Sequence, residues 1–374
     1  MSLVNFVITP EGLPNDGIMF VDHQKENRTG HLGHALVEYE PGKVLAFYPN
    51  CSAEDPELDG HSGYGWMEYK RSVDGGQTWS PPIIEPNSKA LFDEACGRTM
   101  MCEKAVCTDI GRIVLFYLQS DMITDSHGWE PFFNPLYAIS DDYGHTFTPA
   151  KCFVEEAGRI YDAKYYEGVI YVLYQRGATC ITETVENDPM ALTGQTTSLD
   201  SDLLLYVSED NGESFTLRSR IPFANTNQVY YGTMTFRPDG SLLVYTYDRY
   251  DEHNLKYNIS CDCGRTWGIN RRAFFEKRLR NPQIVYFGGE YFIHGRTGNY
   301  GQEENRKHFV LYTSKDGINW DEGHYVRMAK AGYDAYSNNL IVHMPDGTER
   351  LLIHVSQAYE GNKTNIVEYW ISKK

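Results

Sequence analysis

The chain has 374 residues and carries 51 Asp and Glu against 34 Lys and Arg, a formal net charge of −17. That balance argues against nucleic acid and anionic membranes as partners, and any anionic ligand needs a local cluster of arginines. Aromatics make up 14% of the chain and tyrosine alone accounts for 28 residues, which suits an all-β protein.

In chain order, the N-terminal MSLVNFVITPEG lacks the basic region and apolar core of a signal peptide, so a cytoplasmic location is expected. No apolar run is long enough for a membrane span, and no stretch shows helical periodicity. VNFVIT (4–9) reads as a strand. Five glycine-led runs follow: GKVLAFYP (42–49), GRIVLFYL (111–118), GVIYVLYQ (168–175), GSLLVYTY (240–247) and GEYFIHGR (289–296). Their β-branched and aromatic residues make each a strand.

Downstream of each run comes a turn written in one frame. The copies are SVDGGQTW (72–79), SDDYGHTF (140–147), SEDNGESF (208–215), SCDCGRTW (260–267) and a shortened SKDGINW (314–320). The Asp accepts hydrogen bonds from N–H groups a few residues on, the Gly permits positive φ, and the final aromatic has something to bury. Asp74, Asp142, Asp210, Asp262 and Asp316 therefore have structural work and no expected catalytic role.

The boxes start roughly 50 to 70 residues apart, and repeats of this order with four short strands each are propeller blades. Five boxed units leave 4–9 and 331–374 over. IVHMPDGTERLLIHV and NIVEYWIS supply three strands there and VNFVIT a fourth, a sixth blade closed by both ends of the chain. The expected fold is a six-bladed β-propeller forming one domain over residues 1–374. Eight cysteines show no zinc-type spacing, so reduced thiols and neither metal nor cofactor are expected.

These turns resemble the Asp boxes of the sialidase (neuraminidase) superfamily, and the resemblance runs over almost the whole chain. It implies structural boxes on one face and a site at the ring centre on the other. It also implies a tyrosine nucleophile activated by a glutamate, an aspartate acid/base and three arginines clamping the substrate carboxylate. Tyrosine suits an anomeric centre that already bears a carboxylate, because a charged nucleophile would be repelled.

AGYDAYSNNLIVHMPDG (331–347) is similar to the nucleophile segment and puts Tyr336 in that role. NRKHFVLYTS (305–314) and LVYTYDR (243–249) are similar to the segments of the third and second arginines, which implies Arg306 and Arg249. Other parts are absent. Where the first arginine is expected, Leu32 stands, with His34 in place of a proline; Arg28 lies four residues earlier and offers a substitute from a loop. The glutamate is expected within NQVYYGTMTF (227–236), which holds only Tyr230 and Tyr231. For the acid/base the candidates are Asp55 and Asp59, in CSAEDPELDGHSGYG (51–65). A tyrosine without its glutamate keeps a pKa near 10 and is a poor nucleophile at neutral pH.

The residues standing in those gaps are polar. His31, His34 and His61 fall at the first blade's inner strand and loop. Glu103 and Lys104 are expected to begin the second blade's inner strand, Arg159, Tyr161 and Asp162 the third's, and Arg280 and Asn281 the fifth's. Charge at the start of inner strands, blade after blade, implies a wet central pocket for a hydroxylated ligand such as a sugar. Glu103 is the expected base for Tyr336. Tyr231, His31, His34, His61, Arg28, Arg249, Arg280 and Arg306 are the expected substrate contacts. Three readings stay open: an exo-glycosidase for a terminal, acidic sugar such as sialic acid; a uronate lyase with His and Tyr as base and acid; and a glycan-binding propeller without chemistry.

Overall fold

The computed structural model describes residues 5–54, 63–121, 133–176, 179–181, 195–197, 202–223, 231–247, 251–297, 308–332, 335–361 and 363–374. Six antiparallel sheets stand around an axis as the blades of a propeller. Their inner strands are Leu36–Glu40, Arg98–Cys107, Gly158–Tyr166, Thr233–Phe236, Arg280–Phe287 and Ser337–His343. Each packs on the inner strand of the next blade, and the sixth packs on the first, so the ring closes.

Closure is made by the two ends of the chain. Phe6–Thr9 pairs with Lys363–Lys373, with Phe6 opposite Lys373 and Thr9 opposite Trp370. Phe6 is 2% exposed and stands edge-on to Phe292 of the fifth blade at 4.9 Å.

The second strand of every blade is buried on both faces, which explains its continuous apolar runs. A separate apolar core fills each gap between neighbouring blades. Phe47 and Leu115 lie in the gap between the first and second blades, Val114 and Val172 between the second and third.

The repeated turns join these blades to one another. In the second blade's turn, the Asp142 carboxylate accepts from the Thr146 N–H at 2.8 Å and hydroxyl at 2.7 Å, and from the Ser140 hydroxyl at 2.8 Å. The same bonds recur around Asp74, Asp210 and Asp262. The turn then reaches back to the preceding blade, where the Tyr69 hydroxyl donates to the Gly144 carbonyl at 3.0 Å. A Cβ on Gly144 would collide with Leu45, and one on Gly264 with Leu205, both at positive φ. Only glycine fits a left-handed turn pressed onto a neighbour's core.

One helix, Pro86–Asp93, was not legible in the sequence. It lasts barely two turns and has no long apolar stripe to give a period. It is held instead by Glu85, buried at the N-cap, whose carboxylate accepts from Asn87 and Ser88 N–H and from the Tyr117 hydroxyl.

Candidate active site

Bulges shape the ring centre. The inner-strand registers slip at Glu103, at Tyr161 and at Asn281–Pro282. An extra residue in a strand bends it and re-aims its side chains, a device common beside active sites. The sequence suggested that Glu103 begins its strand; it is instead a bulge residue midway along Arg98–Cys107. Tyr231, Asn281 and Ala335 sit at φ 42°, 53° and 69°, a left-handed conformation that costs energy in non-glycine residues. The same conformation recurs in the box turns at the other end, at Tyr143, Asn211 and Cys263.

A cavity open to solvent lies at the end of the ring that holds Tyr231 and Asn281; Glu103, Arg159, Tyr161, Tyr231, Gln283 and Tyr336 are among its walls. Tyr336 is held from behind. Its N–H donates to the Ser356 hydroxyl at 3.0 Å, and its carbonyl accepts from the Ser356 N–H at 2.9 Å. The His31 ring meets the Tyr336 ring edge-on at 4.5 Å. The Arg296 guanidinium lies over the Tyr336 ring at 4.7 Å and donates to the Asn281 side chain at 3.0 Å. Burial pushes the Tyr336 hydroxyl up to about 12; Tyr231 adds to this, while Arg296, Arg159 and Arg280 pull it down.

The other two arginines also rest on tyrosines. Arg280 lies over Tyr231 at 5.6 Å and Tyr247 at 5.3 Å, and Arg159 over Tyr161 at 4.9 Å. Arg159 is in addition paired with Glu103, at 3.1 and 2.9 Å to its two oxygens. Burial is the largest single influence and opposes its charge, yet Glu103 together with Tyr161, Tyr336 and Tyr231 outweighs it and holds Arg159 above the usual arginine range. Deeper in, Glu252 is 3% exposed and accepts from the Tyr247 hydroxyl at 3.2 Å. Its carboxyl is raised by burial against the pull of Arg280.

Tyr336, Glu103, Tyr231, Arg280, His31 and His34 thus come together. His34 lines the cavity and its Nε2 donates to the Gly30 carbonyl at 3.3 Å; burial drives its pKa down to about 3, so it is neutral. Arg28 stands elsewhere. It donates to the side chain and carbonyl of Asn50 and lies over Trp66 at 4.9 Å, away from the cavity walls. It does not fill the place of the missing first arginine. Asp55, Asp59, His61, Tyr230, Arg249 and Arg306 lie outside the described residues. Sequence reading missed Arg296 as a site residue. The signal was present, because Arg296 closes the strand run GEYFIHGR at the same end of its blade as the bulged inner strand.

No group of His, Cys, Asp and Glu among the described residues is arranged to hold a metal ion, and no described helix is long and apolar enough to cross a membrane. Cys51, Cys96, Cys102, Cys107, Cys152, Cys261 and Cys263 are free thiols, with Cys51 and Cys102 buried.

A six-bladed propeller with an arginine- and tyrosine-lined centre defines a class, and comparison with known proteins agrees. The sialidase of Clostridium perfringens is 26% identical over 242 residues, 61% of this chain and 58% of that one. The chain therefore spans little more than half the length of this curated relative. No family model matches. A Hadza microbial sialidase superposes with a TM-score of 0.65 at 16% identity, over 99% of this chain and 72% of the other. The intramolecular trans-sialidase of Ruminococcus gnavus superposes at 0.59 and 12% identity, over 97% and 98%. The chain thus shares the six-bladed propeller fold of these sialidase structures and is similar in sequence to a sialidase over 61% of its length.

Proposed function

We propose that the protein is a carbohydrate-active enzyme, a retaining exo-glycosidase that removes a terminal acidic sugar of the sialic acid type. One observation carries the reading: three buried or half-buried arginines act on Tyr336 at the ring centre of a chain with net charge −17. Concentrating cations there against the overall charge fits an anionic ligand. The solved trans-sialidase of Ruminococcus gnavus, with the same fold, holds oseltamivir carboxylate, itself an acid.

In this reading Arg280 and Arg296 receive the sugar carboxylate. Tyr336, raised to about 12, needs a base before its oxygen can attack. Glu103 supplies a carboxylate to the cavity wall and is occupied by Arg159. A substrate carboxylate that engages Arg159 releases Glu103 to take the Tyr336 proton. The tyrosine oxygen then bonds the anomeric carbon as the glycosidic bond breaks, and water completes the hydrolysis. Asp55 is our candidate for protonating the leaving oxygen.

A second reading, a uronate lyase, is favoured by His31 against Tyr336 and by neutral His34 in the same wall. There a histidine removes the proton α to the carboxylate and Tyr336 protonates the leaving oxygen. A fluorinated sialic acid analogue separates the two. The glycosidase is expected to be labelled covalently on the peptide holding Tyr336, seen by mass spectrometry, and Tyr336→Phe to lose turnover by several orders of magnitude. An unlabelled protein that releases unsaturated uronate would establish the lyase instead.

A further inference from the structure

We infer that Lys104 sets the specificity of the central site through Gln283, turning the amide N–H groups of Gln283 into the cavity as donors for an oxygen of the bound sugar. Lys104 follows the Glu103 bulge and is 5% exposed. Its ammonium donates to Gln283 Oε1 at 2.5 Å and to Asn338 Oδ1 at 2.6 Å, and it lies 3.3 Å from Asp162 Oδ1. An ammonium has three donors and no acceptor, so both amides must face it with their oxygens. That chemistry fixes which end of each amide points away.

The two amides are not used alike. Asn338 also accepts from the Asn339 N–H at 2.9 Å, and its amino group reaches the Glu103 carbonyl at 3.4 Å. It is spent on the protein. The Gln283 side chain is half-buried in the cavity wall and makes no other hydrogen bond among the described residues. Its two N–H donors are left for a ligand.

Asp162 keeps the arrangement rigid. It is fully buried and accepts from the Thr233 hydroxyl at 3.0 Å and the Met234 N–H at 2.9 Å, on the fourth blade. Buried ion pairs add little stability, and their best-attested use is to fix one arrangement among several. A donor-only group selects an acceptor on the sugar, a hydroxyl or an acyl carbonyl. Gln283 is thus the contact residue and Lys104 a positioning residue.

The inference rests on the acidic-sugar reading, and the test separates the two. Calorimetric titration of the full chain uses N-acetylneuraminic acid and methyl glucuronide as probes, with thermal melting alongside. Gln283→Glu, which offers Lys104 a carboxylate and removes the donors, is expected to weaken binding about tenfold with little change in melting. Lys104→Met is expected to weaken it similarly, and to add nothing in the Gln283→Glu background. Additive losses, or Gln283→Glu binding within twofold of wild type, overturn the inference. Should Lys104→Met not fold, Gln283→Glu and Gln283→Leu decide it alone. Arg296→Met reports on the parent reading: unweakened binding of the acids sinks the carboxylate clamp while leaving the Gln283 result to stand. A wild-type protein that binds neither probe overturns both.

Discussion

Arginine resting on tyrosine is the recurring contact of the ring centre. Arg280 and Arg296 lie over ring faces, which orients each guanidinium, and both pull on the buried Glu252 carboxyl. Arg159 differs, being paired with Glu103. Arg159 lies over the Tyr161 ring as well, and in the proposed function the ligand carboxylate meets Arg280 and Arg296. Arg296→Met is therefore expected to raise KM for an acidic sugar by about 10- to 100-fold, the value of a charged hydrogen bond in a buried site. A neutral aryl-glycoside should be affected little, and equal effects on both would show that no carboxylate is held. Of the clamp expected from sequence, Arg249 and Arg306 lie outside the described residues, so the arginines assembled here are a different set. Lone arginines give no period or spacing to read, and only folding shows which of them face the axis.

Each box turn is an element stabilised by a depressed carboxyl. In Asp142, burial acts to raise the group, but the Thr146 hydroxyl and N–H outweigh it and bring it down to about 2. In Asp262 the Thr266 hydroxyl is the main cause, with the same outcome of about 2. A carboxyl that ionises at lower pH in the folded state than in the unfolded one stabilises fully above the ordinary carboxylate range. That contribution is lost as pH falls from about 4 toward 2. The urea midpoint should drop over this window, and Asp142→Asn should lower it at neutral pH while flattening its fall in acid. A variant as steep as wild type would mean that other carboxyls govern acid unfolding.

The aromatic that ends the first box behaves less like core than its letters suggest. Trp79 is only partly buried and meets Phe20 edge-on at 5.0 Å. Full burial would put the cost of Trp79→Ala at about 3 to 5 kcal/mol; the half-buried ring lowers the expected loss to about 2 kcal/mol. The folded fraction should retain its activity, because the turn lies at the end of the blade remote from Tyr336. Loss of activity at unchanged stability would contradict a purely structural box.

At the scale of the molecule, stability is a property of the ring. Six interblade cores are arranged in a circle, so one weak gap is felt by two blades and then by all. Phe6 fills the gap between fifth and sixth blades and is almost fully buried. Phe6→Ala is expected to cost about 3 kcal/mol, a drop of several degrees in thermal midpoint, while unfolding stays a single transition. A separate early transition would show that the sixth blade opens independently of the other five.

The blades could be read from the letters alone. Glycine-led strands, box turns and spare strands at both ends repeat on a length that only one closed architecture satisfies, because hairpin periods and turn chemistry are local. Tyr336 was singled out differently, by the likeness of 331–347 to the nucleophile segment of the sialidase superfamily, and it stands in the cavity wall. The company Tyr336 keeps depends on the closed ring. Glu103, Arg159, Arg280, Gln283 and Arg296 come from three different blades and meet only when the ring closes. Their directions are set by bulges at Glu103, Tyr161 and Asn281–Pro282, each a slip of register against a partner strand. Register is a relation between two strands, and one strand's letters do not contain it.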